Sequence, residues 1–238
     1  MRSPYGLNIL DNCTTCPVRR DHLFCNLSPL PAQRLNEIKA IGIYPKRSML
    51  FTEGQPPRGV FVLCNGRVKL STASREGKTI ITRISESGDL LGLNAVISNL
   101  PYEVTAEMME PGQANFIPRE PLLQLMRDFP EAAARIGEQL SNNYYAAHEE
   151  IRTLGLATSP SEKFARLLLK WSRKTLQTDG SLQVELTLTH EEIGEIIGTS
   201  RETVSRLFSE FRRKQLVQLK GASLLILSRP ALEQIIHS

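Results

Sequence analysis

Apolar and polar positions follow one rhythm in the first half of the chain and another in the second. From Met49 to Pro118 they alternate in short runs: MLF (49–51), GVFVLC (59–64), VKLSTA (68–73), TIITRIS (79–85), GDLLGL (88–93), YEVTAEMM (102–109) and GQANFIP (112–118). Short runs of this period, broken by turn residues, predict the strands of a β-sandwich or jelly-roll barrel. Asn65-Gly66 between two apolar runs is a hairpin signal, and Glu76-Gly77-Lys78 marks a second turn. Ahead of the strands, PLPAQRLNEIKAIG (29–42) predicts a short helix.

The period lengthens near residue 119. PREPLLQLMRDF (118–129) predicts a short helix, and a long one runs from Pro130, a residue suited to a first helical turn, to about Leu156. Along it Ala133, Ile136, Leu140, Tyr144, Ala147, Ile151 and Leu154 recur at steps of three and four. That is the spacing of a helix seam, and a parallel homodimer would place its interface there. TSPSE (158–162) then opens another helix, with Ser161 as its expected cap.

The segment from Leu188 to Ser228 carries the chemistry most openly. Thr189 and Glu192 form a T-x-x-E capping box, and Ile193, Ile196 and Ile197 give the first helix an apolar face. Gly198 breaks that helix, and Ser200 can cap a second one starting at Arg201. This is helix-turn-helix spacing. In the second helix Val204, Leu207, Phe208 and Phe211 face inward, which turns Arg201, Glu202, Ser205 and Arg206 outward. Arg pairs with guanine edges and Glu with cytosine N4, so these four are the expected base readers on double-stranded DNA. Ser200, Thr203, Arg212, Arg213, Lys214 and Lys220 suit the phosphate backbone. LVQLKGASLLILS (216–228) reads as a two-stranded wing turned at Gly221.

Charge agrees with a polyanionic partner. The net charge is +4, and residues 201–220 alone hold six basic against two acidic side chains. No G-x-S-x-G, phosphate loop or H-E-x-x-H points to an enzyme. The chain shows neither an export signal nor a membrane-length apolar run, so a soluble cytoplasmic protein is expected. In that compartment the cluster NCTTCPVRRDHLFC, with Cys13, Cys16 and Cys25, argues for metal binding or redox chemistry over a structural disulfide. Cys64 is the fourth cysteine. Four thiolates suit iron–sulfur or zinc equally, the alternative being that these cysteines pack as small hydrophobes; CTTC without a βαβ context gives thiol–disulfide exchange little support.

EEIGEIIGTSRETVSRLF, the GDLLG turn (88–92) and the long helix together resemble the CRP/FNR family of bacterial transcription regulators. The resemblance implies an α+β chain with four parts. These are a cysteine-containing segment (1–28), a sensory jelly-roll β-barrel (29–129), a dimerisation helix (130–157) and a winged helix-turn-helix (158–238). It implies a homodimer on a palindrome whose half-sites contain TGA, read by Glu202 and Arg206. It also implies contact with RNA polymerase near the loop LQTDGSLQ (176–183).

Cyclic-AMP binders of the family hold phosphate with an Arg-Ser pair and ribose with a Glu. Here Glu103-Val104 and Leu93 stand at those places, so cyclic AMP is not expected as the effector. Cys13, Cys16, Cys25 and Cys64 resemble in outline the four ligands of the oxygen-labile 4Fe–4S cluster of the FNR branch. The third cysteine is more widely spaced. The fourth departs as well, since the late-strand position before Ile-Pro holds Ala114-Asn115. The resemblance therefore implies a cluster, with zinc or an unknown effector as alternatives. Haem has no obvious histidine pair among His22, His148, His190 and His237.

Overall fold

The computed structural model describes residues 4–157, 159–172, 182–185, 187–220 and 223–237. They form a mixed helix and sheet structure of two compact units, Met1–Ala146 and Ala147–Ser238, divided within the long helix. The first contains α1 (Pro29–Ile38), β1 (Ile43–Tyr44), β2 (Met49–Phe51), β3 (Gly59–Asn65), β4 (Val68–Ala73), β5 (Thr79–Ser85), β6 (Leu90–Leu91), α2 (Leu93–Ser98), β7 (Thr105–Met108), β8 (Gly112–Pro118), α3 (Arg119–Asp128) and most of α4 (Pro130–Leu156).

Two antiparallel sheets make the barrel, in the orders β1-β8-β3-β6 and β2-β7-β4-β5. The turn at Glu76-Gly77-Lys78 joins the paired strands β4 and β5 as a hairpin. Asn65-Gly66 does something else. Gly66 adopts φ +94°, but β3 and β4 belong to opposite sheets, so this turn is a corner that carries the chain across the barrel. The α2 helix follows directly on β6, where the pattern gave only an apolar run.

Alternation along β3 and β8 sorts the cores. Phe61, Leu63 and Ala114 point between the sheets with Phe51, Tyr102, Ala106 and Met108. Phe51 and Tyr102 stack at 4.1 Å, and Tyr102 Oη donates to the Gly59 carbonyl at 2.6 Å while accepting its N–H at 3.3 Å. Val60, Val62 and Ile117 point the other way, under α1, α3 and the start of α4. Strand β3 is thus buried on both faces. Ile136 corrects the expected seam: it is 1 % exposed and packed with Leu122, Leu125 and Ala132, so the first turns of α4 are spent on the barrel.

The second unit holds α5 (Pro160–Ser172), β9 (Leu182–Glu185), α6 (His190–Ile197), α7 (Arg201–Arg213), β10 (Val217–Lys220), β11 (Ser223–Ile226) and α8 (Arg229–His237). Ser159, not Ser161, caps α5, its Oγ accepting the Glu162 N–H at 3.2 Å. The wing is three-stranded, in the order β10-β11-β9. Its expected turn at Gly221 lies outside the described residues, as does LQTDGSLQ apart from Leu182 and Gln183, which begin β9. Phe164 anchors the core against Phe208 and Phe211, at 4.8 and 5.1 Å. Among the described residues no helix is long and apolar enough to cross a membrane.

Replacing Tyr102 by Phe strips both hydrogen bonds from the buried Gly59 peptide and should cost about 1–3 kcal/mol. A denaturant midpoint unchanged from wild type would contradict this account of the barrel.

Candidate DNA interface and thiol pocket

The helix-turn-helix is held by its caps. Thr189 Oγ1 accepts the Glu192 N–H at 3.2 Å, and Glu192 Oε2 accepts the Thr189 N–H at 2.8 Å, completing the capping box. Gly198 ends α6 at φ +67°, in the left-handed region that glycine enters without strain. Ser200 Oγ accepts the Thr203 N–H at 3.2 Å and starts α7. With Val204, Leu207, Phe208 and Phe211 buried, Arg201, Glu202 and Arg206 stand exposed and Ser205 is half-buried beside them.

The outer face of α7 is pre-arranged. Ser205 Oγ donates to the Arg201 carbonyl at 3.1 Å and lies 2.9 Å from His190 Nδ1, whose ring stacks on Phe208. His190 therefore braces Ser205, a role that its position in the sequence did not disclose. Arg206 Nη2 donates to Thr203 Oγ1 at 3.1 Å, which leaves Thr203 half-buried. The Glu202 carboxyl is held below the usual carboxylate range by its own backbone N–H at the helix start, and next by the Ser200 hydroxyl. It is therefore a charged acceptor at neutral pH. Arg212, Arg213, Lys214 and Lys220 are exposed, Lys214 paired with Glu210 at 2.6 Å.

Far along the sequence, Cys13, Cys16, Cys25 and Cys64 line one pocket. It lies between the N-terminal arm and the outer faces of β3 and β8, where Val62, Asn115 and Ile117 complete the wall. The arm is tied down by side chains absent from any motif. Gln113, fully buried, accepts the Leu10 N–H at 2.7 Å and donates to the Leu10 carbonyl at 2.8 Å. Asn36 Oδ1 accepts the Cys13 N–H at 2.9 Å. Lys39 Nζ reaches Asn36 Oδ1 and the Asp11 carbonyl, each at 2.6 Å, and Cys13 Sγ at 3.4 Å. Further on, Phe24 and Leu27 sink into the apolar layer over the sheet.

Burial dominates the thiols. It pushes Cys25 and Cys64 up to about 12, and the neighbouring thiols add to the effect. Cys13 is also raised by burial, against the opposing pull of the Lys39 ammonium. A tetrahedral zinc ion draws its sulfurs to within about 4 Å of one another, since Zn–S bonds are about 2.3 Å. Among the described residues no three His, Cys, Asp or Glu side chains are set to hold a metal ion. The four thiols line one small cavity without converging on a point.

From this arm a run of contacts leads to α4. The His22 ring lies on Gly88, where a Cβ would come within 2.2 Å of His22 Nδ1 and where φ is +95°. Next to Gly88, Asp89 pairs with Arg83 at 2.8 Å, and Arg83 Nη1 donates to Asn143 Oδ1 of α4 at 2.5 Å. On α4 itself Leu140 is half-buried, Tyr144, Ala147 and Ile151 are exposed, and the side chain of Leu154 lies outside the described residues. At the positions compared with cyclic-AMP binders, Leu93 is buried, Glu103 exposed and Val104 packed against the barrel core.

A doubly capped helix-turn-helix with a wing, joined to a β-barrel domain, defines a DNA-binding transcription regulator. The comparisons agree. The Crp-like helix-turn-helix domain profile matches residues 162–235, and the cyclic nucleotide-binding domain profile matches residues 42–129. A CRP-like cAMP-activated global transcriptional regulator of Mycobacterium tuberculosis is 26% identical over 183 residues, 77% of this chain and 82% of that one. The fumarate and nitrate reduction regulatory protein of Escherichia coli K12 is 27% identical over 191 residues, 80% of this chain and 76% of that one. Among solved structures, FixK2 from Bradyrhizobium japonicum superposes with a TM-score of 0.72 at 20% identity, covering 83% of this chain and 97% of that one. Over both of its domains the chain is similar to transcription regulators of the CRP/FNR family.

In the metal-free protein Cys25 and Cys64 should stay protonated well past pH 9, ionising only toward pH 12. Because the folded state favours the protonated thiols, their contribution to stability is complete below the ordinary thiol pKa and is lost as pH climbs from about 9 to 12. Thiolate ultraviolet absorption followed against pH checks this, and four thiolates present at pH 8 would contradict it.

Proposed function

We propose that this regulator binds a TGA-containing palindrome as a homodimer and is switched by a 4Fe–4S cluster held by Cys13, Cys16, Cys25 and Cys64. The carrying observation is the gathering of all four cysteines around one pocket, from positions 13 to 64, against the barrel wall. Cys64 occupies the strand next to Asn115, on the same outward face, and both line the pocket. The ligand that the FNR branch carries on the late strand is thus supplied here from the neighbouring strand. Lys39, 3.4 Å from Cys13 Sγ, is a countercharge suited to a thiolate-held group. Bound there, the cluster would supply an oxygen- and nitric-oxide-sensitive redox centre.

The protein's own part is mechanical. Whatever displaces the arm moves His22 against Gly88, and the Asp89–Arg83–Asn143 chain ties that loop to α4. Leu140, Tyr144, Ala147, Ile151 and Leu154 are the proposed dimer seam, Tyr144 and Ile151 being 63 % and 66 % exposed in the single chain. Pairing along it would set two α7 helices for successive major grooves. The Mycobacterium tuberculosis relative is named as cAMP-activated, but Leu93, Glu103 and Val104 offer this chain no phosphate donor in the positions compared above.

On the DNA, Arg201, Glu202, Ser205 and Arg206 read bases, while Ser200, Thr203, Arg212, Arg213, Lys214 and Lys220 hold the backbone. Arg206→Ala should cost about 1–3 kcal/mol on a TGA palindrome and remove discrimination at that position, leaving the dimer folded. Titration of wild type and variant on matched and mismatched duplexes is the check, and equal affinity for the matched site would refute the assignment.

A further inference from the structure

Three of the four thiols are fixed by the protein itself. Cys64 stands in the paired strand β3. Cys13 is pinned at its N–H by Asn36 and at its sulfur by Lys39. Cys25 follows the buried Phe24 and precedes the buried Leu27. All three pack against the apolar layer over the sheet, which among the described residues leaves out Cys16. Cys16 instead lies on the loop between these anchors, in a turn closed by the Arg19 N–H on the Cys16 carbonyl at 3.4 Å.

A group held by all four sulfurs enters or leaves past the least anchored wall of the pocket they line. Two anchored stretches and a β-strand make up the other walls, so the moving wall is the loop of residues 14–23. Arg19 is its latch, donating to the Thr14 carbonyl at 2.9 Å and the Leu27 carbonyl at 2.5 Å across the loop ends. We propose that Cys16 is the exchangeable thiol of the pocket: it swings away with its loop to admit or release the bound group, while Cys13, Cys25 and Cys64 remain docked. The proposal rests on the reading of this pocket as a cluster site and assigns the order in which its ligands engage.

The experiment uses the full chain, stripped of metal by a chelator under reducing conditions and exposed briefly to N-ethylmaleimide, with labelling followed peptide by peptide in a mass spectrometer. Cys16 should react about tenfold or more faster than Cys25 and Cys64, because local opening exposes a loop before a docked segment. Asn36→Ala should bring the Cys13 rate up toward that of Cys16. Labelling of Cys25 or Cys64 as fast as Cys16, or an Asn36→Ala variant with Cys13 unchanged, would overturn the proposal. Iron and sulfide measured before stripping keep the two readings apart. Iron-free protein that labels Cys16 first removes the cluster but upholds the moving wall, and iron-bearing protein with even labelling does the reverse.

Discussion

A thiolate held in an apolar pocket needs a positive partner, and this requirement governs the N-terminal half of the molecule. Cys25 and Cys64 are pushed to about 12 by burial, so in the metal-free chain they behave as small neutral side chains packed over β3. A bound metal reverses the balance by replacing the protons with a stronger positive charge. With a metal bound as proposed, the pocket would exchange a protonated, neutral state for a charged one. Lys39 moderates the contrast at Cys13, the thiol it touches.

The outer face of one barrel sheet joins the cysteine arm to the rest of the unit. Helices α1, α3 and α4 cover one part of it and the cysteine arm covers another, which is why β3 is apolar on both sides. Ile136 belongs to the same layer, so the first turns of α4 are a piece of the barrel, while Tyr144 and Tyr145 further along it are exposed. Gly88 serves as the contact point, since any side chain there would collide with His22. In the second unit the same economy appears on a smaller scale: caps fix α6 and α7, and the buried face of α7 determines which residues are left to meet DNA.

Local chemistry made the DNA-reading end legible in the sequence. The Thr189–Glu192 box, the Gly198 stop and the Ser200 cap are interactions within four residues, and all three stand in the structure. The barrel strands were legible as a class, but their partners were not. Asn65-Gly66 reads as a hairpin because a two-residue turn does not reveal that its strands join different sheets. Ile136 fits the seam spacing because a helix face has the same period whether it meets a partner or its own domain. Gln113 and Asn36 were invisible for a related reason: each acts on backbone or side chains far away in sequence, Gln113 across 103 residues. Two polar residues at outward positions of β8, Gln113 and Asn115, were the available hint, since a polar pair buried there needs something to hold.

The central claim is that the four thiols hold an iron–sulfur cluster. Purification without oxygen, followed by the visible absorption spectrum with iron, sulfide and zinc analysis, tests it most directly. The account predicts a coloured protein containing iron and sulfide, whose absorption bleaches on exposure to air. Colourless protein, whether carrying stoichiometric zinc or no metal at all, would contradict it.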